Sequence, residues 1–330
     1  MSKQKTIQLH LSFGSHSGRR NAKQFKKDFK MHKPVVYAPE TGGLLASERI
    51  SYMRKYNDRL KKARKSPRNR ERFLRALHVD DLKQGICLED AAFRSAEQAL
   101  IVDSGARVYV VEALPVRELV RVERARQKYN MSMTFVLEML NQGEIEMALR
   151  MYSLALRVFA KYEITTRNTH VVRGFERMSG ELVRLFPELE DVDPIRVFSR
   201  YGLAHLSIGG AIAKNGFKTT VSVDSPFRFE GKLLMRLCSN PNAVFSRAEL
   251  LQGLFTNIDS NRVGLDVGKY SRTEAEDVEV ETALFRRLGG ARGFTRLLNV
   301  SSLGKTDYLE VIYEELDRID AEIGMHRKVQ

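Results

Sequence analysis

Four short runs of apolar and β-branched residues constrain the fold of this chain more than any other feature. Val35-Val36-Tyr37 within Pro34–Ala38, Val108-Tyr109-Val110-Val111 within Arg107–Leu114, and the stretches Ile195–Arg200 and Phe217–Val223 each read as a strand. The runs are continuous, as in strands buried on both faces. Between them the apolar periodicity is helical, over Leu44–Lys65, Asn69–Leu77, Leu88–Asp103 and almost all of Val116–Phe186. Punctuation at Asn130, Gln142–Gly143 and Thr165–Thr166 divides that last stretch into four predicted helices. A short helical pattern, His205–Asn215, separates the last two strands, which are therefore expected to be parallel and joined right-handedly.

These elements predict an α/β fold: a mostly parallel sheet flanked by many helices, followed by a helical C-terminal region. Residues 1–33 read as a polar, basic N-terminal arm, 34–224 as the α/β domain and 225–330 as the helical region with Asp224–Pro226 as hinge. At 330 residues and 43% apolar content the chain can bury a sizeable core. No apolar run approaches the roughly 18 residues of a membrane span, and residues 1–33 lack the apolar stretch of a secretory signal, so a cytoplasmic location is expected. The two cysteines, Cys87 and Cys238, lie in apolar surroundings without partners at metal-finger spacing and read as free buried thiols.

In mostly parallel sheets, ligands bind beyond the carboxyl ends of the strands. Those positions hold Glu40 after the first strand, Glu112 at the end of the second, and Tyr201-Gly202-Leu203-Ala204-His205 after the third. The long helical stretch contributes Arg167, Asn168 and His170. A buried strand seldom ends in a carboxylate that lacks a partner, so these residues are predicted to converge in one cleft. Each also has an ordinary structural reading. Glu40 suits the N-terminus of the following helix, His205 suits a helix cap, and Arg167–Asn168 suits a helix start.

The order and spacing of these motifs resemble the erythromycin-esterase-like, ChaN-like and TraB/PrgY/Tiki-like proteins. The resemblance rests on Pro39-Glu40-Thr41-Gly42-Gly43, Val110-Val111-Glu112, Arg167-Asn168 and Gly202-Leu203-Ala204-His205, and covers residues 34–224. It implies a hydrolase-like or ligand-binding protein. Glu40 and His205 would be the acid–base or metal-facing groups, with a divalent metal as one cofactor such a site could use. Glu112 would orient them, and Arg167 would neutralise an anionic small-molecule or peptide ligand. Asn168, His170 and Tyr201 would contact the substrate. The chain departs from the pattern at Gly42, where the family's first motif has a histidine, so a binding-only descendant is the other outcome the resemblance allows.

The net charge of +14 is local. Residues 1–79 hold 21 Lys and Arg against 5 Asp and Glu, whereas the rest holds 34 against 36. Lys55, Arg59, Lys61, Lys62, Arg64, Lys65 and Arg68 form the densest part, suited to a nucleic-acid backbone or another anionic partner. Further on, a helix over Gly231–Cys238, a capped helix from Ser246 with Glu249 at the capping-box position, a helix over Thr273–Leu288 and a wing over Phe294–Leu309 resemble a response-regulator winged helix. That segment would make the protein nucleic-acid-binding or transcription-related. A last amphipathic helix is predicted over Lys305–Ile323.

Overall fold

A computed structural model describes residues 6–14, 18–41, 43–83, 88–213, 217–224, 229–257 and 295–299. Gly42, Cys87, the hinge residues 225 and 226, and the helices predicted over 273–288 and 305–323 lie outside the described residues. The fold is α/β, with a sheet in the order β4-β2-β6-β1-β7-β8. Five strands run parallel: β1 (Ile7–Phe13), β2 (Val36–Pro39), β4 (Arg107–Val108), β6 (Ile195–Tyr201) and β7 (Lys218–Asp224). The sixth, β8 (Thr295–Asn299), adds to β7 antiparallel. Among the described residues no helix is long and apolar enough to cross a membrane.

The stretch read as a polar arm supplies the middle of this sheet. β1 pairs with both β6 and β7, so the α/β unit begins well before residue 34. Ile7, Leu9, Leu11 and Phe13 enter one core, while His10 and Ser12 face the other way and are also buried. His10 is held between the hydroxyls of Thr220 (2.8 Å) and Ser222 (3.0 Å), and its ring stacks on His32 at 3.6 Å. Ser12 accepts a hydrogen bond from the buried Arg200. The polarity that marks residues 1–33 as an arm is therefore partly internal, with His10 and Ser12 both hydrogen-bonded. α1 (Gly18–His32) then covers this face, with Phe25 and Phe29 packed on Tyr37 and Phe198.

Three helices follow β2: α2 (Arg49–Ala63), α3 (Pro67–Lys83) and α4 (Leu88–Ser104). α2 buries Met53, Tyr56, Leu60 and Ala63, one stripe at helical spacing. Asn57 closes the outer edge of β4. Its carbonyl accepts the Val108 N–H (2.9 Å) and its amide donates to the Val108 carbonyl (2.8 Å). A side chain thus stands in for the missing neighbouring strand.

The predicted strand over residues 107–114 is interrupted. β4 ends at Val108, and Ala113–Leu114 forms β5, which pairs with β3 (Leu44–Leu45) in a separate two-stranded ladder. α5 (Val116–Asn141) runs straight through Asn130, and the turn at residues 142–143 leads into α6 (Ile145–Phe159). No break occurs at Thr165. Instead a π-turn, Ala160–Ile164, joins α6 to α7 (Thr165–Leu185), and the Thr165 hydroxyl bonds the Ala160 carbonyl at 2.8 Å. Gly174 lets α7 lie against residues 110–112, because a Cβ there would sit 2.0 Å from the Val111 carbonyl oxygen.

α8 (Ile208–Ala213) links β6 to β7, and behind the π-turn α9 (Phe229–Ser239) and α10 (Arg247–Asn257) share a core with α5 and α6 built on Tyr152, Leu156, Leu233 and Leu254. The capping box at Ser246 and Glu249 is formed. The winged-helix expectation needs correction in two respects. These helices belong to the core of the α/β unit, and the predicted wing contributes β8 to the main sheet. Cys238 is free and half-buried, with its thiol pushed up to about 12 by burial.

Candidate functional site

The carboxyl ends of β2, β4 and β6 point to one place. Glu40 follows β2, Glu112 lies four residues beyond β4, and Gly202 to His205 follow β6 in a short 3-10 turn. Thr41 ties the first two together by donating to the Glu112 carbonyl at 2.9 Å. α7 brings in Arg167 two turns before Gly174.

Arg167 is the centre of the arrangement. Its Nε and Nη2 bond the two carboxylate oxygens of Glu112 at 2.5 and 3.0 Å. Nη2 also reaches Glu40 at 2.6 Å, and Nη1 reaches Glu163 at 2.8 Å. Arg167 and Glu112 are buried and Glu163 is 2% exposed, whereas Glu40 keeps 18% of its side chain open. Burial works against the guanidinium charge, but Glu112 and Glu40 outweigh it and hold the group firmly protonated. Bidentate pairing of this kind fixes geometry as well as charge.

Glu40 connects this cluster to His205. One carboxylate oxygen accepts the Gly202 N–H at 3.2 Å, and the other lies 3.5 Å from His205 Nε2. On its far side His205 Nδ1 meets Asn168 Oδ1 at 2.5 Å, while Asn168 Nδ2 donates to Ser207 at 3.1 Å. That polarity assigns the proton to Nδ1 and leaves the Nε2 lone pair facing Glu40. Burial lowers the histidine pKa, with Glu40 opposing, so the ring is neutral at neutral pH.

The four residues expected at the catalytic position, Glu40, Glu112, Arg167 and His205, therefore meet in one network. Asn168 belongs to it as the group that orients His205. Tyr201 is fully buried, its ring 6.0 Å from that of His205, and lies under the site. His170 makes no hydrogen bond to the network; it lies among Arg173, Glu118 and Arg177, with Glu112 also within electrostatic reach. Glu163 escaped notice in the sequence although it lies four residues before Arg167, the spacing of a helical ion pair. Its Oε1 joins Arg167 to Arg126 of α5 at 3.0 Å.

A divalent metal does not fit these donors. The Arg167 guanidinium already fills the space between Glu40 and Glu112. Among the described residues no group of three or more His, Cys, Asp or Glu is placed to hold an ion. Beside Glu40 opens a cleft of about 460 Å³, lined by Tyr37, Thr41, Tyr52, Tyr56, Arg94 and Gln98 among others. Compared with known proteins, the chain matches no family model, no curated protein and no solved structure.

Proposed function

We propose that the protein is a hydrolase of the esterase/ChaN/TraB-like type, acting on an ester or amide held in the cleft beside Glu40. The observation that carries this reading is the disposition of Glu40. It is the one partly open carboxylate of a network that is otherwise buried, and a neutral histidine nitrogen faces it from behind. A carboxylate so placed can take a proton from a water in the cleft and share it with His205 Nε2. The same proton then returns to the leaving group as the carbonyl adduct collapses. Arg167, Glu112, Glu163 and Asn168 are positioning residues. The Arg167 side chain makes all its contacts to carboxylates, so it holds Glu40 in place, and charge neutralisation of the substrate falls to other groups.

Hydrolysis of chromogenic acetate, butyrate and aminoacyl anilide substrates tests the proposal. Glu40→Gln and His205→Ala should each lower kcat/KM by about 100-fold or more, with circular dichroism unchanged. If the wild-type protein binds such ligands in a Glu40-dependent manner yet turns none over, the binding-only reading replaces the hydrolase. Turnover that survives both substitutions would refute either.

A further inference from the structure

Glu40 and the basic segment lie at opposite edges of the sheet, and the cleft beside Glu40 reaches along α2 and α4 as far as Ile101. α2 starts beside the site, where Arg49 donates to the Val110 carbonyl at 2.7 Å. Fifteen residues later it ends at the amino edge, where the Arg64 guanidinium bonds the carbonyls of Ile101, Val102 and Ala106 just before β4. α1 ends at the same edge, since the carbonyl of Lys33 accepts Arg196 Nε from the start of β6 at 3.0 Å. The cations of α1 and of the α2–α3 junction also meet around one carboxylate. Asp103 takes two bonds from Arg70 of α3, at 2.7 and 2.9 Å, and its carboxyl is held below the usual range by Arg70 first and by Lys26 and Lys30 of α1 as well.

Several of the basic residues already have partners, Arg64 in the interior and the others at the surface. Arg64 caps carbonyls, Arg70 pairs with Asp103, Arg75 pairs with Glu71, and Arg59 lies over the Phe73 ring at 5.4 Å. Exposed around this edge are Lys23, Lys26, Lys27, Lys30 and Lys33 of the α1 segment, and Lys61, Lys62, Lys65, Arg68 and Arg72 where α2 meets α3. None of these ten makes an ion pair with a described residue.

We propose that the amino edge of the sheet is a nucleic-acid-binding surface, distinct from the Glu40 network, that grips the phosphate backbone through the α1 lysines and the cations where α2 meets α3. The chemistry of the face favours this partner over a protein or a membrane. Among the described residues α1, α2 and α3 expose one large apolar side chain each, Met31, Tyr52 and Val79. A protein hot spot or a membrane-inserting face is built on clustered apolar anchors. Cations without such anchors bind by charge and counterion release, as phosphate backbones are bound. Among the described residues no base-reading element accompanies them, so the binding proposed is independent of sequence. The proposal does not rest on the hydrolase reading.

Fluorescence anisotropy of the full chain with labelled single-stranded DNA, single-stranded RNA and duplex DNA of about 20 nucleotides and mixed sequence tests it across a salt series. With about five phosphates engaged, log K should fall with log salt with a slope of roughly −3.5 for single strands and −4.5 for duplex. The triple variants Lys26→Gln/Lys27→Gln/Lys30→Gln and Lys61→Gln/Lys62→Gln/Lys65→Gln should each weaken binding by about tenfold or more and flatten that slope. Both replace exposed side chains, and circular dichroism checks that each stays folded. Glu40→Gln should leave binding unchanged. A flat salt response, wild-type affinity in both triple variants, or lysine-dependent binding to phosphatidylserine vesicles without binding to any of the three oligonucleotides would overturn the proposal.

Discussion

Glu112 and Arg167 face each other through two hydrogen bonds, 2.5 and 3.0 Å long, with both side chains shut away from solvent. Fifty-five residues apart in sequence, they are joined because α7 lies directly on the chain segment that leaves β4. A pair this buried is costly to break from one side, since the remaining charge keeps its desolvation penalty without its partner. Arg167→Ala, which strands Glu112 and Glu163 together, should lower the unfolding free energy by about 3–5 kcal/mol. Urea denaturation of the variant beside Arg167→Ala/Glu112→Gln checks this: the double variant should recover part of the loss. Equal losses in the two would show that the pair is not coupled.

Stability should fall on mild acidification. His10 is pulled well below its ordinary range by burial and by His32, and His205 is lowered by burial. In the unfolded chain both take up a proton as pH drops through about 6.5. The folded protein holds them neutral to lower pH. The stabilisation is therefore fully present above pH 6.5 and is lost progressively below it, down to the folded pKa values. His32 and His170 are lowered by burial as well and share in the slope. Unfolding curves at pH 7.5, 6.5 and 5.5 measure it, and His10→Gln should reduce it by up to roughly 1.4 kcal/mol per pH unit. An unchanged slope in that variant would remove His10 as a source.

Gly174→Ala should be among the most damaging single-methyl additions in the molecule. The new carbon would fall 2.0 Å from the Val111 carbonyl oxygen, and that neighbour is backbone that cannot rotate away. α7 must move off the sheet, at about 1–3 kcal/mol or more. Because Arg167 rides on the same helix face, hydrolysis in the cleft should fall along with the melting temperature. Gly180→Ala, on the same helix with nothing within 4 Å, is the control and should be neutral or slightly stabilising. Equal effects in the two variants would remove the close approach as the cause.

Much of this arrangement was legible in the sequence, for identifiable reasons. β2, β6 and β7 are apolar enough to stand out, and their carboxyl ends fall where Glu40 and Tyr201–His205 could be read off directly. β1 was hidden because two of its six buried residues are polar, and only the tertiary structure supplies the Thr220, Ser222 and Arg200 partners that make His10 and Ser12 tolerable in a core. The interruption after Val108 was invisible for the opposite reason. Val110 and Val111 are as apolar as strand residues, yet they leave the ladder to carry Glu112 toward Arg167. The π-turn has no compositional mark at all, because Ala160–Ile164 reads as ordinary helix. With it went Glu163, whose role depends on where that turn points it.

The π-turn also decides something that no single side chain does. A regular helix advances about 100° per residue, so a turn that holds one extra residue offsets everything downstream by that angle. α6 sets its orientation by packing against α5 and α9, and α7 sets its own by packing against residues 110–112. Ala160–Ile164 takes up the mismatch between these two demands. The convergence of Glu163 and Arg167 on the strand ends is thus a matter of phase: two rigid cores wind at different angles about a shared axis, and the point where they are brought into step is where the charges meet.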